Sequence, residues 1–107
     1  MNRGDVYWIR VDDSTGGEIR KSRPAIVVSN DKANMHLNRI QIVPLTTNVE
    51  RIYPGEAFVK VEGRKQKALA TQLTTVAKNR VMEKVGRLTD AEMVAVERAI
   101  KVQLGMS

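Results

Sequence analysis

Residues 18–30 read E-I-R-K-S-R-P-A-I-V-V-S-N, and they fix a guanidinium where chemistry can use it. The Pro24 ring pushes Arg23 toward extended backbone, and the apolar run Ala25 to Val28 suits a buried strand. Arg23 is therefore expected at the mouth of a strand. There a guanidinium offers a rigid fork of donors to a phosphate, which the same residue on a loose tail could only attract. A basic surface loop running into a strand reads the same way. A second apolar run, Ile42-Val43-Pro44-Leu45, ends on Thr46-Thr47-Asn48 and places hydroxyls at another strand end. Taken alone, Thr46 equally suits the capping of a turn.

Other chemistries lack their residues. His36 is the single histidine, so paired acid and base imidazoles cannot come from one chain, and its polar surroundings suit a surface position. The chain has no cysteine, which removes disulfides, thiolate nucleophiles and cysteine-bound zinc. The sequence carries no metal-ligand spacing, no phosphate-binding glycine fingerprint and no nucleophile elbow. The expectation is a protein without metal or cofactor.

Net charge is +6 and the isoelectric point is near 10.0, which favours a polyanionic partner. The basic residues gather at 20–23, at Lys60 and 64–67, and at 78–87. Aromatic residues make up only 4%, too few for the stacking platform of an RNA-binding sheet, so Tyr7 and Trp8 are expected in the core or an interface. A length of 107 residues suits one domain, 1–107, able to bury roughly two-thirds of its unfolded surface. With no signal pattern, no bilayer-length apolar run and no cysteine, a soluble protein of the cytoplasm without membrane contact is expected.

The elements that must position these residues are mostly strands. Residues 6–11, 24–29, 39–45, 56–61, 67–72 and 81–85 have strand composition, and Pro44 confines its strand to an edge or a bulge because it cannot donate to a ladder. Residues 12–17, D-D-S-T-G-G, suit a mobile loop able to swing over a site. Residues 30–38 are polar and turn-rich, 62–66 suit a glycine-containing hairpin loop, and 77–80 a short helical turn. The capping box Thr89-Asp90-Ala91-Glu92 opens the one long helix; Met93, Val96, Ile100 and Leu104 form its core stripe and Gly105 its stop. A compact mainly-β barrel with a packed C-terminal helix follows.

The ordered set of segments resembles the MazF/PemK family of toxin endoribonucleases over the whole chain. It comprises Arg3-Gly4-Asp5-Val6-Tyr7-Trp8, Glu18 ahead of Arg23-Pro24, Ser29-Asn30-Asp31, Pro44-Leu45-Thr46-Thr47, Tyr53-Pro54, residues 68–72 (A-L-A-T-Q), Val85-Gly86-Arg87-Leu88 and the closing helix. The resemblance implies an SH3-like small β-barrel of the MazF/CcdB type that pairs into a homodimer. It also implies the toxin of a type II toxin–antitoxin system, cleaving single-stranded RNA, chiefly mRNA, at a short sequence with the substrate's own 2'-hydroxyl as nucleophile. Arg23 and Thr46 match the family's catalytic arginine and threonine. An always-protonated guanidinium suits stabilisation of the charge on pentacoordinate phosphorus, and a hydroxyl suits a neutral bond to the same phosphate.

Weaker matches surround that pair. Glu18 matches an acidic residue that serves as base or orienter, or is only a salt-bridge partner in a solvated loop. Gln72 matches a family glutamine, but Thr71 stands before it where many members carry Asp or Glu, which removes any mechanism needing that carboxylate. Arg20, Lys21, Lys78 and Arg80 would bind phosphates or bases, or remain solvated charge, and Thr47 and Asn48 extend the Thr46 segment toward substrate. The cognate partner implied is a MazE-like antitoxin, an acidic extended segment suited to a basic groove. The rival is CcdB, a gyrase-binding toxin of the same fold that acts without catalysis through a C-terminal Trp-Gly-Ile; this chain ends Gly105-Met106-Ser107 instead.

Overall fold

The computed structural model describes residues 1–10 and 22–107. Residues 11–21 lie outside that description, and with them Glu18, Arg20, Lys21 and the expected loop at 12–17.

Seven strands among the described residues form one curled antiparallel sheet: β1 (Asp5–Arg10), β2 (Ser22–Val27), β3 (Arg39–Thr46), β4 (Glu56–Val61), β5 (Arg64–Leu69), β6 (Thr74–Ala77) and β7 (Val81–Arg87). The order is β4-β5-β3-β2-β1-β7, with β6 also on β3. Because β3 serves both β6 and β5, the sheet curls to both sides and each face buries a core. One core joins Val6, Ile26, Val43 and Leu45 to β4, β5 and the C-terminal helix; the other gathers Ile9, Ala25, Val27, Ile40 and Ile42 beneath Val76 and Val81. The alternation of Ile42, Val43 and Leu45 between the two follows from the two-residue period of a strand.

Of the edge or bulge expected at Pro44, the edge is ruled out. It lies in the central strand opposite Ala25, at the interval where β3 leaves β6 (last pair Ile42–Thr74) and takes up β5 (first pair Leu45–Ala68). A residue without an N–H costs no ladder bond there.

Several boundaries differ from the sequence reading. Strand β2 begins at Ser22, so Arg23 is inside it, pairing with Ile9. The turn between β4 and β5 is only Glu62-Gly63, both with positive φ (53° and 75°), the two-residue form that matches strand twist. Residues 64–66 therefore belong to β5, and 70–72 form a single helical turn instead of strand. A six-residue helix, α1 (Asp31–His36), replaces the expected turns; Asn30 caps it by accepting from the Ala33 N–H at 2.8 Å. Strand β6 was hidden behind its polar Thr74-Thr75 start.

Helix α2 (Asp90–Leu104) begins and ends as its sequence requires, with the reciprocal Thr89–Glu92 capping box and left-handed Gly105. Met93, Val96 and Ala99 are buried and Ile100 partly so, whereas Leu104 is 55% exposed and leaves the expected stripe. The opening Arg3-Gly4-Asp5 ties the chain start to this frame. Arg3 pairs with Glu97 at 2.7 Å, Gly4 takes φ 97° to bond Val27 and Leu88, and buried Asp5 pairs with Arg87 at 2.7 Å. Burial acts to raise the Asp5 pKa, but the Asn2 N–H, Arg87 and Lys84 outweigh it and hold the carboxyl below its usual value.

Candidate active site

The start of β2 and the end of β3 meet at one rim of the sheet. The register pairs Ala25 with Pro44, and carried two residues further it brings Arg23 level with Thr46. Both belong to the face that holds Ala25 and Ile42, since side chains two apart share a face. The exposed Arg23 side chain borders a cleft of about 210 Å³ floored by Ile9, Ile42, Pro44 and Val76, with Gln72 and Thr74 on its far wall. A charged fork, an amide and a hydroxyl thus converge over an apolar floor. Thr74 was missed in the sequence, and its place in a β-branched run two residues after Gln72 is the signal that could have found it.

Strand parity separates the two threonines. Thr46 shares the Arg23 face, and Thr47 turns to the opposite face, where it lines another pocket with Trp8 and Gln66. The Thr46 hydroxyl oxygen accepts from the Asn48 N–H at 3.2 Å, so it does cap a turn. This uses an acceptor lone pair and leaves the O–H as a donor aimed by the same bond. Asn48 in turn accepts from the Glu50 N–H at 3.3 Å, which orders the chain leaving the rim.

The segment after Thr46 is tied down from β5. Lys67 pairs across the sheet with Thr46, and its nearly buried ammonium meets Glu56 at 3.0 Å and donates to the Arg51 carbonyl at 2.7 Å. Glu56 also accepts the Tyr53 N–H at 2.9 Å. Lys67 is thus a structural clamp on residues 51–56, which composition alone assigned to a basic cluster.

The other expected positions divide. Val81 pairs with Ile9 and Ile9 with Arg23, so Arg80, just ahead of Val81, lies two strands from Arg23, about 10 Å by strand spacing. Lys78 is placed differently: its ammonium donates to the Asn34 carbonyl and its N–H to Asn38 at the Arg39 end of β3, away from Thr46. Thr71 packs at Gly55, where an added Cβ would come within 2.9 Å of it, and it does not line the Arg23 cleft. His36 is exposed at the end of α1. Trp8, expected in the core or an interface, is 40% exposed at the rim and so is not a core residue of this chain. Among the described residues no three His, Cys, Asp or Glu come together to hold a metal ion.

The profile of the family described as PemK-like, MazF-like toxin of type II toxin–antitoxin system matches residues 2–104. The chain belongs to the PemK/MazF toxin family. It is 32% identical over 115 residues to the endoribonuclease MazF9 of Mycobacterium tuberculosis, covering 99% of this chain and 98% of that protein. The endoribonuclease MazF of Staphylococcus saprophyticus is 30% identical over 112 residues, covering 99% and 92%. The fold superposes on a mycobacterial endoribonuclease in complex with its cognate antitoxin with a TM-score of 0.84, 24% identity and coverage of 100% and 97%. A MazF structure from Deinococcus radiodurans gives 0.80 at 23% identity, covering 99% and 97%. The MazF-type barrel with its closing helix is therefore the fold of this chain, and no helix among the described residues is long and apolar enough to cross a membrane.

Proposed function

We propose that residues 1–107 act as one toxin domain that cleaves single-stranded RNA at a short sequence without a metal, through attack of the substrate's 2'-hydroxyl. The observation that supports this reading is the β2–β3 register, which continued from Ala25–Pro44 brings Arg23 level with Thr46 on one face, in a PemK/MazF chain. Arg23 clamps the non-bridging oxygens as charge builds on phosphorus, and the Thr46 O–H adds a neutral donor to the same group. Gln72, across the cleft, holds the substrate in line, with Asn48 and Arg80 guiding the strand on either side and Thr47 reaching its bases. By family resemblance, Arg20 and Lys21 add positive charge for the phosphates, and Glu18 serves as base or orienter. The Lys78 ammonium is engaged by α1 and is left out of this set.

The active unit is a homodimer in the cytoplasm, with an acidic MazE-like antitoxin competing for the basic groove. The non-enzymatic CcdB-like reading is not favoured, because the relatives this chain matches over nearly its whole length include endoribonucleases. Cleavage of a long defined RNA in excess chelator, with ends mapped, tests the reading. Cutting is expected to persist in chelator and to leave a 2',3'-cyclic phosphate, and a 2'-deoxy substitution at the cut should block it. Chelator-sensitive cutting, or cutting of the deoxy substrate, would overturn it.

A further inference from the structure

The rim that carries Arg23 and Thr46 opens on its other side as well. Pro24 and Thr47, which directly follow those two residues, face away from the Arg23 cleft and line a pocket of about 250 Å³ with Trp8, Arg64, Gln66 and Val85. The two openings are separated only by the ends of β2 and β3.

Two features of this pocket suit a ligand. Gln66 is 7% exposed, and its Oε1 is a buried acceptor with no hydrogen-bond partner among the described residues. Such a group carries a full desolvation cost when left unmatched, so natural proteins rarely keep one without a use. Trp8, the only tryptophan in the chain, lies partly exposed in the same pocket. A flat π-surface beside an unmatched acceptor complements one planar heterocycle bearing an exocyclic amine. The volume equals about eight liquid-water volumes, the scale of a single base.

We propose that this pocket is a nucleobase-specificity site that takes the base of a nucleotide adjoining the bond cut at Arg23 and Thr46. Its identity as an RNA site rests on the ribonuclease reading above. The base stacks at Trp8, and a turn of the Gln66 amide brings its Oε1, buried in the free protein, to accept from the exocyclic amine. Adenine, cytosine and guanine each carry such an amine. Uracil does not: its one donor on that edge is the ring N3–H, set between two carbonyl oxygens that meet the Gln66 oxygen as acceptors on either side, so it matches the site less well. An acidic side chain meets the same objection, because a carboxylate brings only acceptors to Gln66 and to Glu62 at the pocket wall.

Two measurements on the full chain test the pocket. In the first, cleavage ends are mapped for the parent and for Gln66→Leu, which keeps the volume and removes the acceptor; its melting temperature should equal or exceed the parent's. Discrimination against uracil at one position next to the cut should fall about tenfold or more. An unchanged base preference at every position would overturn the proposal. In the second, Trp8 fluorescence is titrated with single-stranded hexadeoxynucleotides of adenine, cytosine or thymine, which lack the 2'-hydroxyl. Adenine and cytosine should quench at concentrations about tenfold or more below thymine, and Gln66→Leu should erase that difference. Equal quenching by all three, or quenching only by an acidic peptide, would count against it. If the parent cut no RNA yet showed this quenching pattern, the ribonuclease reading would fail and the pocket's preference for amino bases would stand; cutting with no dependence on Gln66 would remove the pocket alone.

Discussion

The two ends of β3 use polar groups in opposite ways. At the Arg39 end the Ser29 hydroxyl donates to the Asn34 side chain and accepts from the Gln41 N–H, the Asn34 amide returns a bond to Ser29, and Lys78 closes on the Asn34 carbonyl. At the Thr46 end, Arg23 and Gln72 are exposed and the Gln66 acceptor has no partner among the described residues. A polar group satisfied internally holds the frame rigid, and one left open holds affinity in reserve for a ligand. One strand thus has a closed end that locates it and an open end that works.

The largest break in this comparison should come from the open end. Arg23→Lys keeps the charge and loses the fork, so single-turnover cleavage should fall about 10²-fold or more with the melting temperature unchanged. A lysine variant that cuts at the parental rate would reduce Arg23 to a steering charge. Thr46→Val keeps the branched shape and removes the O–H, and about a tenfold loss in the cleavage step is expected, the scale of one hydrogen bond to a charged group. Thr47→Val, on the opposite face, should change base choice more than rate; equal rate losses from the two would show that strand parity does not sort them.

The closed end should respond in stability instead. Asn34→Ala strands Ser29 and is expected to cost about 1–3 kcal/mol in denaturant unfolding, with cleavage per folded molecule unchanged. The smallest effect is acid sensitivity. Asp5 and Glu92 have folded pKa values lowered from ordinary values of 3.8 and 4.5; for Glu92 burial opposes the shift, and the Thr89 and Lys60 N–H groups, the Thr89 hydroxyl and the Lys60 charge outweigh it. Their contribution is therefore complete above those ordinary values and is lost as pH falls through the lower folded ones. Melting temperature should decline below about pH 4.5, and Asp5→Asn should flatten the lower part of that decline.

Local signals made much of the frame legible. The capping box, Gly105 and most of the buried stripe placed α2, and Pro24 announced β2 and set Arg23 at a rim. What composition could not give was partnership. Arg64-Lys65-Gln66 looked like loop because its charge hides an extended segment whose other members face the core. Residues 31–36 are too short for a helical period to declare itself, and β6 exists because β3 offers it an edge. Lys67 and Lys78 counted as basic surface until the fold supplied Glu56 and Asn34. The alignment of Arg23 with Thr46 was suggested by family resemblance, whereas the Trp8 and Gln66 pocket required the sheet to curl.

The Glu62-Gly63 turn acts as a length gauge for that pocket. With only two residues between paired Val61 and Arg64, the hairpin has no slack, and Gln66 reaches its place by counting from the turn. Point changes within the turn are strained or tolerated one at a time, as Glu62 with its positive φ already is. An insertion of one residue is different in kind: a shift of one reverses every side chain that follows and would present a lysine, 65 or 67, where Gln66 stands. Indels at this hairpin would therefore trade one chemical lining for another in a single step, a route to new cut-site preferences that leaves Arg23 and Thr46 untouched.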